Sequence, residues 1–377
     1  MSNTKKIKLV IGITSFIIGG AQKLIVDQLS VLDKERFEIH LITLHQSPGK
    51  KDFYNQLPSD IKLYKFNFKS FKDLKSWFNL FKTLKKIKPD VVISHLFFCN
   101  TVFRLIKLLV SYKVIIVEQN TYSYKTKLQI LTDRILSLVT YRIVGVSKAV
   151  TDFTVLQEKI KPSKFITIHN SINLDDINNV KKNYNKNKLK QELGFNKNDK
   201  IIINVSRLVL QKNHDLLIKS FARFCMIKKD YKLIIIGAGS QEKNLELLIN
   251  NLSLSDKVFL LGEKEKDEVY KYYKISDLFV LTSRIEGFAI VCIEAMAFGI
   301  PVVSTKVAGP DKYVKDCYNG FLVENDVEDI AEKINLLDSL NEGERERYRE
   351  NCLNTAKQFD INTNVKRYTE LIEKAIS

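Results

Sequence analysis

Short, β-branched and almost wholly apolar runs alternate with amphipathic stretches along this chain, and they do so in two successive series. Strands that are apolar on both faces need cover on both sides, and strands separated by helical stretches pair in parallel. The pattern therefore specifies α/β domains built on parallel sheets. The first series reads Ile7 to Ile13, Phe37 to Leu44, Ile61 to Phe66, Val91 to Ser94, Val114 to Glu118, Arg142 to Val146 and Phe165 to Ile168. The second reads Ile201 to Val205, Lys232 to Ile236, Val258 to Leu261, Leu278 to Leu281 and Val302 to Ser304. Between them lies a polar, Asn/Lys-rich interval, Asp175 to Lys200, least patterned from Lys181 to Lys190. Two domains are expected, residues 1–172 and 173–360, followed by a last helical stretch, 361–377. Tandem doubly wound domains of this kind bind ligands in a cleft at the carboxyl ends of their strands.

The length of 377 residues is too great for one small binding module, and 45% hydrophobic residues with only 6 Pro and 14 Gly exclude a disordered or collagen-like chain. Five cysteines, Cys99, Cys225, Cys292, Cys317 and Cys352, form no CxxC pair, which fits a reducing, cytoplasmic address rather than a disulfide framework. The stretch Leu105 to Val117 is interrupted by Lys107 and Lys113, so no run approaches the ~18 apolar residues of a membrane span. Lys5, Lys6 and Lys8 before an apolar run imitate a secretory signal. That run contains Gly12, Thr14 and Ser15 and ends at Gly19-Gly20, which reads as a strand-to-helix turn.

Charge is distributed unevenly. Residues 1–170 hold 28 Lys/Arg against 12 Asp/Glu, whereas residues 171–377 hold 32 against 31, so nearly all of the net +17 lies in the first half. An anionic surface is the implied partner of that half. Residues 66–88 supply a basic amphipathic helix: Phe71, Leu74, Phe78, Phe81 and Leu84 recur at helical spacing, and Lys69, Lys72, Lys75, Lys82, Lys85, Lys86 and Lys88 face one acid, Asp73. The stripe is expected to pack on a sheet, while Trp77 and Lys72, Lys75, Lys82 and Lys85 meet anionic lipid headgroups at the inner face of a membrane. Nucleic acid is not expected, because no RNA- or DNA-binding module is visible.

The chemistry concentrates in the second series. After the strand ending at Leu281 come Glu286, a turn at Gly287, and a helix of about three turns to Phe298 that carries Glu294, with Gly299 as its C-cap. Backbone amides around Phe288, Ala289 and Ile290 at the helix start can bind a phosphate, and both carboxylates can accept hydrogen bonds from sugar hydroxyls. Dipole-favoured glutamates on an ordinary helix are the plainer alternative. Arg207 and Lys212 follow the first strand of the second series and suit a diphosphate, or equally a solvated basic loop. Gly19 and Gly20 can bring bare backbone near a substrate or simply form a tight βα turn.

Taken together, these segments resemble the family 4 retaining glycosyltransferases of the GT-B architecture, of the bacterial surface-polysaccharide type. The most specific match is the Glu-x7-Glu motif at Glu286 and Glu294. Gly19-Gly20, Val146-Ser147, His169-Asn170, Arg207 with Lys212, and Gly237-Ala-Gly239 support it in the expected order. The resemblance implies two Rossmann-like domains facing a central cleft, with the C-terminal helix returning to the N-terminal domain. It further implies that Arg207 and Lys212 bind the donor diphosphate, that Gly237, Gly287, Phe288, Ala289 and Ile290 line the donor, that Glu294 binds the ribose and that Glu286 holds the donor sugar. The first domain, with Gly19 and Gly20, would hold the acceptor.

The chain departs from the family in two places. Many members carry a His after the fifth strand, where this sequence reads Glu118-Gln119-Asn120, leaving Gln119, Asn120 or His95 to contact the reacting sugar. The loop Val307-Ala-Gly309-Pro-Asp311 also differs from the usual Gly-Gly pattern, which weakens any guess at the sugar. No Asp-x-Asp triplet occurs, and the five histidines show no ligand spacing. The expectation is therefore a metal-independent, cofactor-free hexosyltransferase that uses a nucleotide sugar, UDP-linked by preference, and a lipid-linked or oligosaccharide acceptor. A nucleotide-sugar epimerase of the same plan is the alternative.

Overall fold

A computed structural model describes residues 5–49, 51–122 and 125–377. The chain divides into two compact units, residues 1–171 with 361–377 and residues 172–360.

In the first unit the strands are β1 (Ile7–Ile13), β2 (Phe37–Thr43), β3 (Lys62–Lys65), β4 (Val91–His95), β5 (Lys113–Glu118), β6 (Arg142–Gly145) and β7 (Phe165–Thr167). The helices are α1 (Gly20–Val31), α2 (Leu74–Ile87), α3 (Phe97–Ile106), α4 (Lys127–Leu136) and α5 (Lys148–Glu158). The strands pair in parallel in the order β3-β2-β1-β4-β5-β6-β7. Connections from β3 to β4 and onward to β7 all run one way across the sheet, so right-handed crossovers put α2, α3, α4 and α5 on one face and α1 on the other. Leu80, Leu84 and Ile87 of α2 share a core with Val102, Phe103 and Ile106 of α3, in keeping with that arrangement.

The second unit contains α6 (Leu174–Asn183), α7 (Lys186–Glu192), β8 (Lys200–Val205), α8 (His214–Cys225), β9 (Tyr231–Ile236), α9 (Glu242–Asn251), β10 (Val258–Leu260), α10 (Lys266–Ile275), β11 (Leu278–Leu281), α11 (Ile290–Ala297), β12 (Val302–Thr305), α12 (Pro310–Tyr313), β13 (Gly320–Val323), α13 (Val327–Asp338) and α14 (Glu342–Lys357). Its six strands are parallel in the order β10-β9-β8-β11-β12-β13. Both sheets have a doubly wound order, and the expected α/β class is met. The last helix, α15 (Ile361–Ile376), belongs to the first unit, where Val365, Tyr368, Leu371 and Ile372 are buried on the α1 side of the sheet.

The polar interval is structured after all. Asn173 and Asn185 each accept two backbone amides and start α6 and α7, which bury only Ile177, Val180, Leu189 and the stem of Lys190. So thin an apolar stripe leaves no periodicity to read. Strand β13 is also additional; it is four residues long and begins with a glycine.

The basic helix corrects a sequence expectation. α2 begins at Leu74, capped by the Asp73 carboxylate on the Ser76 amide, so Phe71 lies outside it. The packed stripe is Leu80, Leu84 and Ile87, while Leu74 is 79% and Phe78 55% exposed. Trp77 is half-buried: its indole packs edge-on to Phe68, and its Nε1 donates to the Phe71 carbonyl over 2.9 Å.

Candidate active site

At the carboxyl ends of β8 and β11 in the second unit, two loops are fastened together. The Arg284 amide donates to the Gln211 carbonyl, Gln211 Nε2 to the Ile285 carbonyl over 2.7 Å, and Thr282 Oγ1 lies 3.0 Å from the Asn213 carbonyl. Lys212 and Glu286 are thereby placed face to face. Lys212 Nζ donates to Glu286 Oε1 over 2.6 Å, and Ser283 Oγ donates to the same oxygen over 2.6 Å. Glu286 is only 6% exposed, and Ser283 is held by Thr305 Oγ1 donating to its carbonyl. Such a carboxylate is oriented rather than solvated, and its other oxygen stays available as an acceptor for hydroxyls.

Arg207 is exposed on the loop after β8 and, among the described residues, forms no side-chain hydrogen bond or ion pair. Beneath it a buried chain holds the loop: Asn204 Nδ2 donates to the Val280 carbonyl, Ser206 Oγ to Asn204 Oδ1, and His214 Nε2 lies 2.9 Å from Ser206 Oγ. Burial, reinforced by Lys212, pushes His214 down to about 4, so the ring is neutral at physiological pH and serves as scaffold. Gly237, at φ 145°, lets the loop after β9 lie against this backbone; a Cβ there would meet the Ser206 carbonyl oxygen at 2.0 Å. Gly237 thus works by close packing behind the Arg207 loop.

The approach to α11 differs in detail from the sequence reading. The left-handed residue is Ala289 (φ 54°, ψ 60°), not Gly287, and the helix starts at Ile290 with no side-chain cap. The amides of Ile290 and Val291 therefore have no intrahelical acceptor, whereas that of Cys292 donates to the Ala289 carbonyl. Tyr313 Oη sits 2.7 and 2.9 Å from the Phe288 and Ala289 carbonyls, and Gly309, at φ 95°, packs so tightly on Phe288 that a Cβ would meet its carbonyl oxygen at 2.4 Å. Phe288 is a buried member of an aromatic cluster with Tyr313 and Phe359, so its backbone rather than its ring is the part that can line a ligand. Glu294 is half-buried on α11, with Tyr273 Oη 3.5 Å away.

In the first unit Gly19 is extended (φ 175°) and Gly20 is exposed, with open space around its Cα. Gln22 Nε2 closes that loop onto the Ser15 carbonyl. His95 is 1% exposed, among residues that include Val365, Tyr368 and Ile372 of α15, and burial pushes it down to about 3. Its Nδ1 lies 3.2 Å from Gln119 Nε2, and Gln119 Oε1 accepts from Asn170 Nδ2 over 3.4 Å. The ring is enclosed, and Gln119 is its side-chain partner. Asn120 is half-buried, with Oδ1 accepting the Thr121 amide over 2.8 Å.

Behind these loops lies a buried ionic cluster that sequence spacing did not reveal. Arg104 pairs with Asp133, and Lys125 Nζ lies 2.5 Å from Glu158, 2.9 Å from Asp133 and 3.6 Å from Glu118. Three carboxyls share two cations. Burial, then the neighbouring Glu118, pushes Glu158 up to about 8, against the pull of Lys125. Lys75, Lys82 and Lys85 are exposed along α2, and Lys72 is exposed just before it. Among the described residues no helix is long and apolar enough to cross a membrane, and no three His, Cys, Asp or Glu side chains are grouped as a metal site requires.

Comparison with known proteins agrees with this geometry. Residues 18–176 match the family model described as Glycosyltransferase Family 4, and residues 185–356 match Glycosyl transferases group 1. The N-acetylgalactosamine-N,N'-diacetylbacillosaminyl-diphospho-undecaprenol 4-alpha-N-acetylgalactosaminyltransferase of Campylobacter jejuni is 30% identical over 85% of this chain and 87% of its own length. The O-antigen biosynthesis glycosyltransferase WbnH of Escherichia coli is 29% identical over 96% and 97%. Among solved structures, Anabaena Alr3699/HepE in complex with UDP-glucose superposes with a TM-score of 0.84 at 20% identity, covering 97% of this chain and 99% of that one. Matched in both halves, and 30% identical to a transferase over most of its length, this chain belongs to glycosyltransferase family 4 and is a glycosyltransferase of the GT-B fold.

Proposed function

We propose that this enzyme moves a sugar from a uridine diphosphate donor to a lipid-linked or oligosaccharide acceptor in surface-polysaccharide assembly, with retention of configuration and without a metal ion. The observation that carries the donor half of this reading is the Lys212–Glu286 pair beside exposed Arg207 and the uncapped start of α11. Arg207 and Lys212 bring two cations to where a diphosphate would lie, and the α11 amides add donors. As the diphosphate draws the Lys212 ammonium, Glu286 is released to accept the donor-sugar hydroxyls, and Glu294 takes the ribose. In a front-face substitution the acceptor hydroxyl oxygen bonds to the anomeric carbon as the bond from that carbon to the leaving phosphate oxygen breaks, and that phosphate oxygen accepts the hydroxyl proton. The protein contributes positioning and stabilisation of the departing charge. UDP is favoured because HepE was crystallised with UDP and UDP-glucose, and a lipid-linked acceptor because the Campylobacter jejuni relative is named for a diphospho-undecaprenol substrate. The test is transfer of label from a panel of radiolabelled UDP sugars into a lipid extract. Interconversion of the donor without transfer would support an epimerase instead.

In this reading the acceptor is met at a membrane through the face of the first unit that carries α2 to α5. Leu74 and Phe78 on α2 are exposed among lysines. On the same face, Leu128, Leu131 and Ile135 recur at helical spacing along α4, Leu138 follows just beyond it, and all four are exposed. Apolar side chains ringed by lysines suit an anionic interface, where each basic residue contributes about 1 kcal/mol. Changing Lys72, Lys75, Lys82 and Lys85 to Glu is expected to abolish flotation with anionic liposomes and spare donor hydrolysis; binding that persists, or ignores salt, would refute this contact.

A further inference from the structure

The second unit carries a second concave basic site at the opposite end of its sheet. Arg207, Gly237 and Glu286 follow the carboxyl ends of strands, whereas a cavity of about 380 Å³ opens at the amino ends of β8, β9, β11 and β12. Its volume is within the range of small-molecule sites. Six cations line it: Lys181, Lys186, Lys200, Lys274, Arg345 and Arg349.

The four carboxylates of the lining, Asp277, Asp338, Glu342 and Glu346, neutralise only part of this set. Asp338 is engaged by Lys200 at 2.5 Å, Lys228 at 3.0 Å and the Tyr231 hydroxyl at 2.7 Å, and Asp277 by Lys186 at 2.8 Å and the Ile201 amide. Among the described residues Lys181 and Lys274 bond only to carbonyls: Lys181 Nζ donates to Ala297 at the end of α11, and Lys274 Nζ to Lys181, each over 3.2 Å. Among the described residues Arg349 has one ion-pair partner, the exposed Glu346. Helix-end carbonyls carry partial negative charge and account for some of this attraction. They do not offset the two full charges of Lys181 and Lys274, which have no carboxylate partner among the described residues. Burial, then Arg349 and Lys274, lowers the affinity of Lys181 for its proton; burial, then Lys186 and Arg349, does the same to Lys274. Cations that repel one another in a partly dry cavity are relieved by a bound anion. Phe298 and Leu340, both half-buried, give the same cavity an apolar side.

We propose that this cavity binds a small phosphorylated molecule, its phosphate held by Lys181, Lys274 and Arg349 and its body against Phe298 and Leu340. The site is distinct from the donor site and does not depend on the identity of the donor.

Inorganic pyrophosphate is the probe, titrated calorimetrically into the full chain. In an Arg207→Gln/Lys212→Gln background, which weakens the donor side, one pyrophosphate per chain is expected to remain. Lys274→Gln/Arg349→Gln in that background should weaken it at least tenfold, as should raised salt. Arg349→Gln alone, an exposed helix position, should give a clear loss of affinity in a protein with an unchanged unfolding midpoint. Pyrophosphate binding that disappears with Arg207→Gln/Lys212→Gln, or that is indifferent to Lys274→Gln/Arg349→Gln, overturns the proposal.

Discussion

Lys212 Nζ lies 2.6 Å from Glu286 Oε1, an ion pair between residues 74 apart in the chain that joins the loop after β8 to the loop after β11. Both side chains are largely buried, so neither charge is dispensable to the other. Lys212→Met should therefore leave an uncompensated carboxylate and lower the unfolding midpoint as well as donor affinity. Lys212→Met/Glu286→Gln should recover part of the stability and none of the turnover. Stability that is equal in the single and double variants would show that the pair is not coupled.

Glu286→Gln and Glu294→Gln should fail differently. The first replaces an anionic acceptor beside the reacting sugar, so the loss should fall mainly on kcat. The second should raise the donor KM and weaken uridine diphosphate binding. A hydrogen bond to a charged group contributes ~1.5 to 3 kcal/mol, so each defect should be at least tenfold. Steady-state kinetics with calorimetry decide; variants that bind uridine diphosphate equally badly would refute the division of roles.

Because Arg207 and Lys212 are proposed to neutralise the leaving diphosphate, turnover should survive chelation. Activity lost with EDTA and restored by magnesium or manganese would reassign that task to a metal ion.

Removing residues 361–377 should unfold the first unit selectively. α15 buries Val365, Leu371 and Ile372, each contributing roughly 1.5 to 3 kcal/mol, and Gln28 Nε2 donates to Asn364 Oδ1 over 2.8 Å in the interior. The exchange of buried amides in β1 and β4 is the readout, and unchanged protection would contradict the role given to this helix.

Glu158 predicts how the first unit responds to pH. With its carboxyl pushed up to about 8 by burial and Glu118, the native state retains a proton that the unfolded chain, titrating near 4.5, has already released. Between about pH 4.5 and 8 the folded form binds more protons, so stability contributed here is present at low pH and is lost as pH rises through that window. Glu158→Gln keeps the shape without the titration and should flatten the slope of unfolding midpoint against pH. Parallel slopes in wild type and variant would place the proton elsewhere.

The order of elements from Leu278 to Thr305 was readable, because a strand, a turn, a short helix and a strand are each specified by neighbours in the chain, although the left-handed turn residue, Ala289, and the shorter helix, Ile290–Ala297, were not. Both glutamates of the motif were found for that reason. Ser283, which fixes the Glu286 carboxylate, was not singled out; only the folded loop shows its hydroxyl 2.6 Å from Oε1. His95 was read as a candidate sugar contact from its place at a strand end. It is enclosed instead, among residues from a helix that begins more than 260 positions later, and no local pattern encodes that cover.

The same distinction explains α2. Its length, basic character and Asp73 cap follow from periodicity and side-chain chemistry. Apolar residues occupy more than one side of this helix, so the face that packs depends on which neighbour the tertiary fold supplies. The core shared with α3 selects Leu80, Leu84 and Ile87 and leaves Leu74 and Phe78 in solvent. By itself the sequence determined two parallel α/β series, the Glu-x7-Glu segment and the excess of positive charge in the first half, since each rests on residues near one another in the chain. Tertiary structure alone decided the Lys212–Glu286 pairing, the burial of His95 and the grouping of Arg104, Glu118, Lys125, Asp133 and Glu158, because each brings together side chains from separate elements at distances where charge and desolvation act.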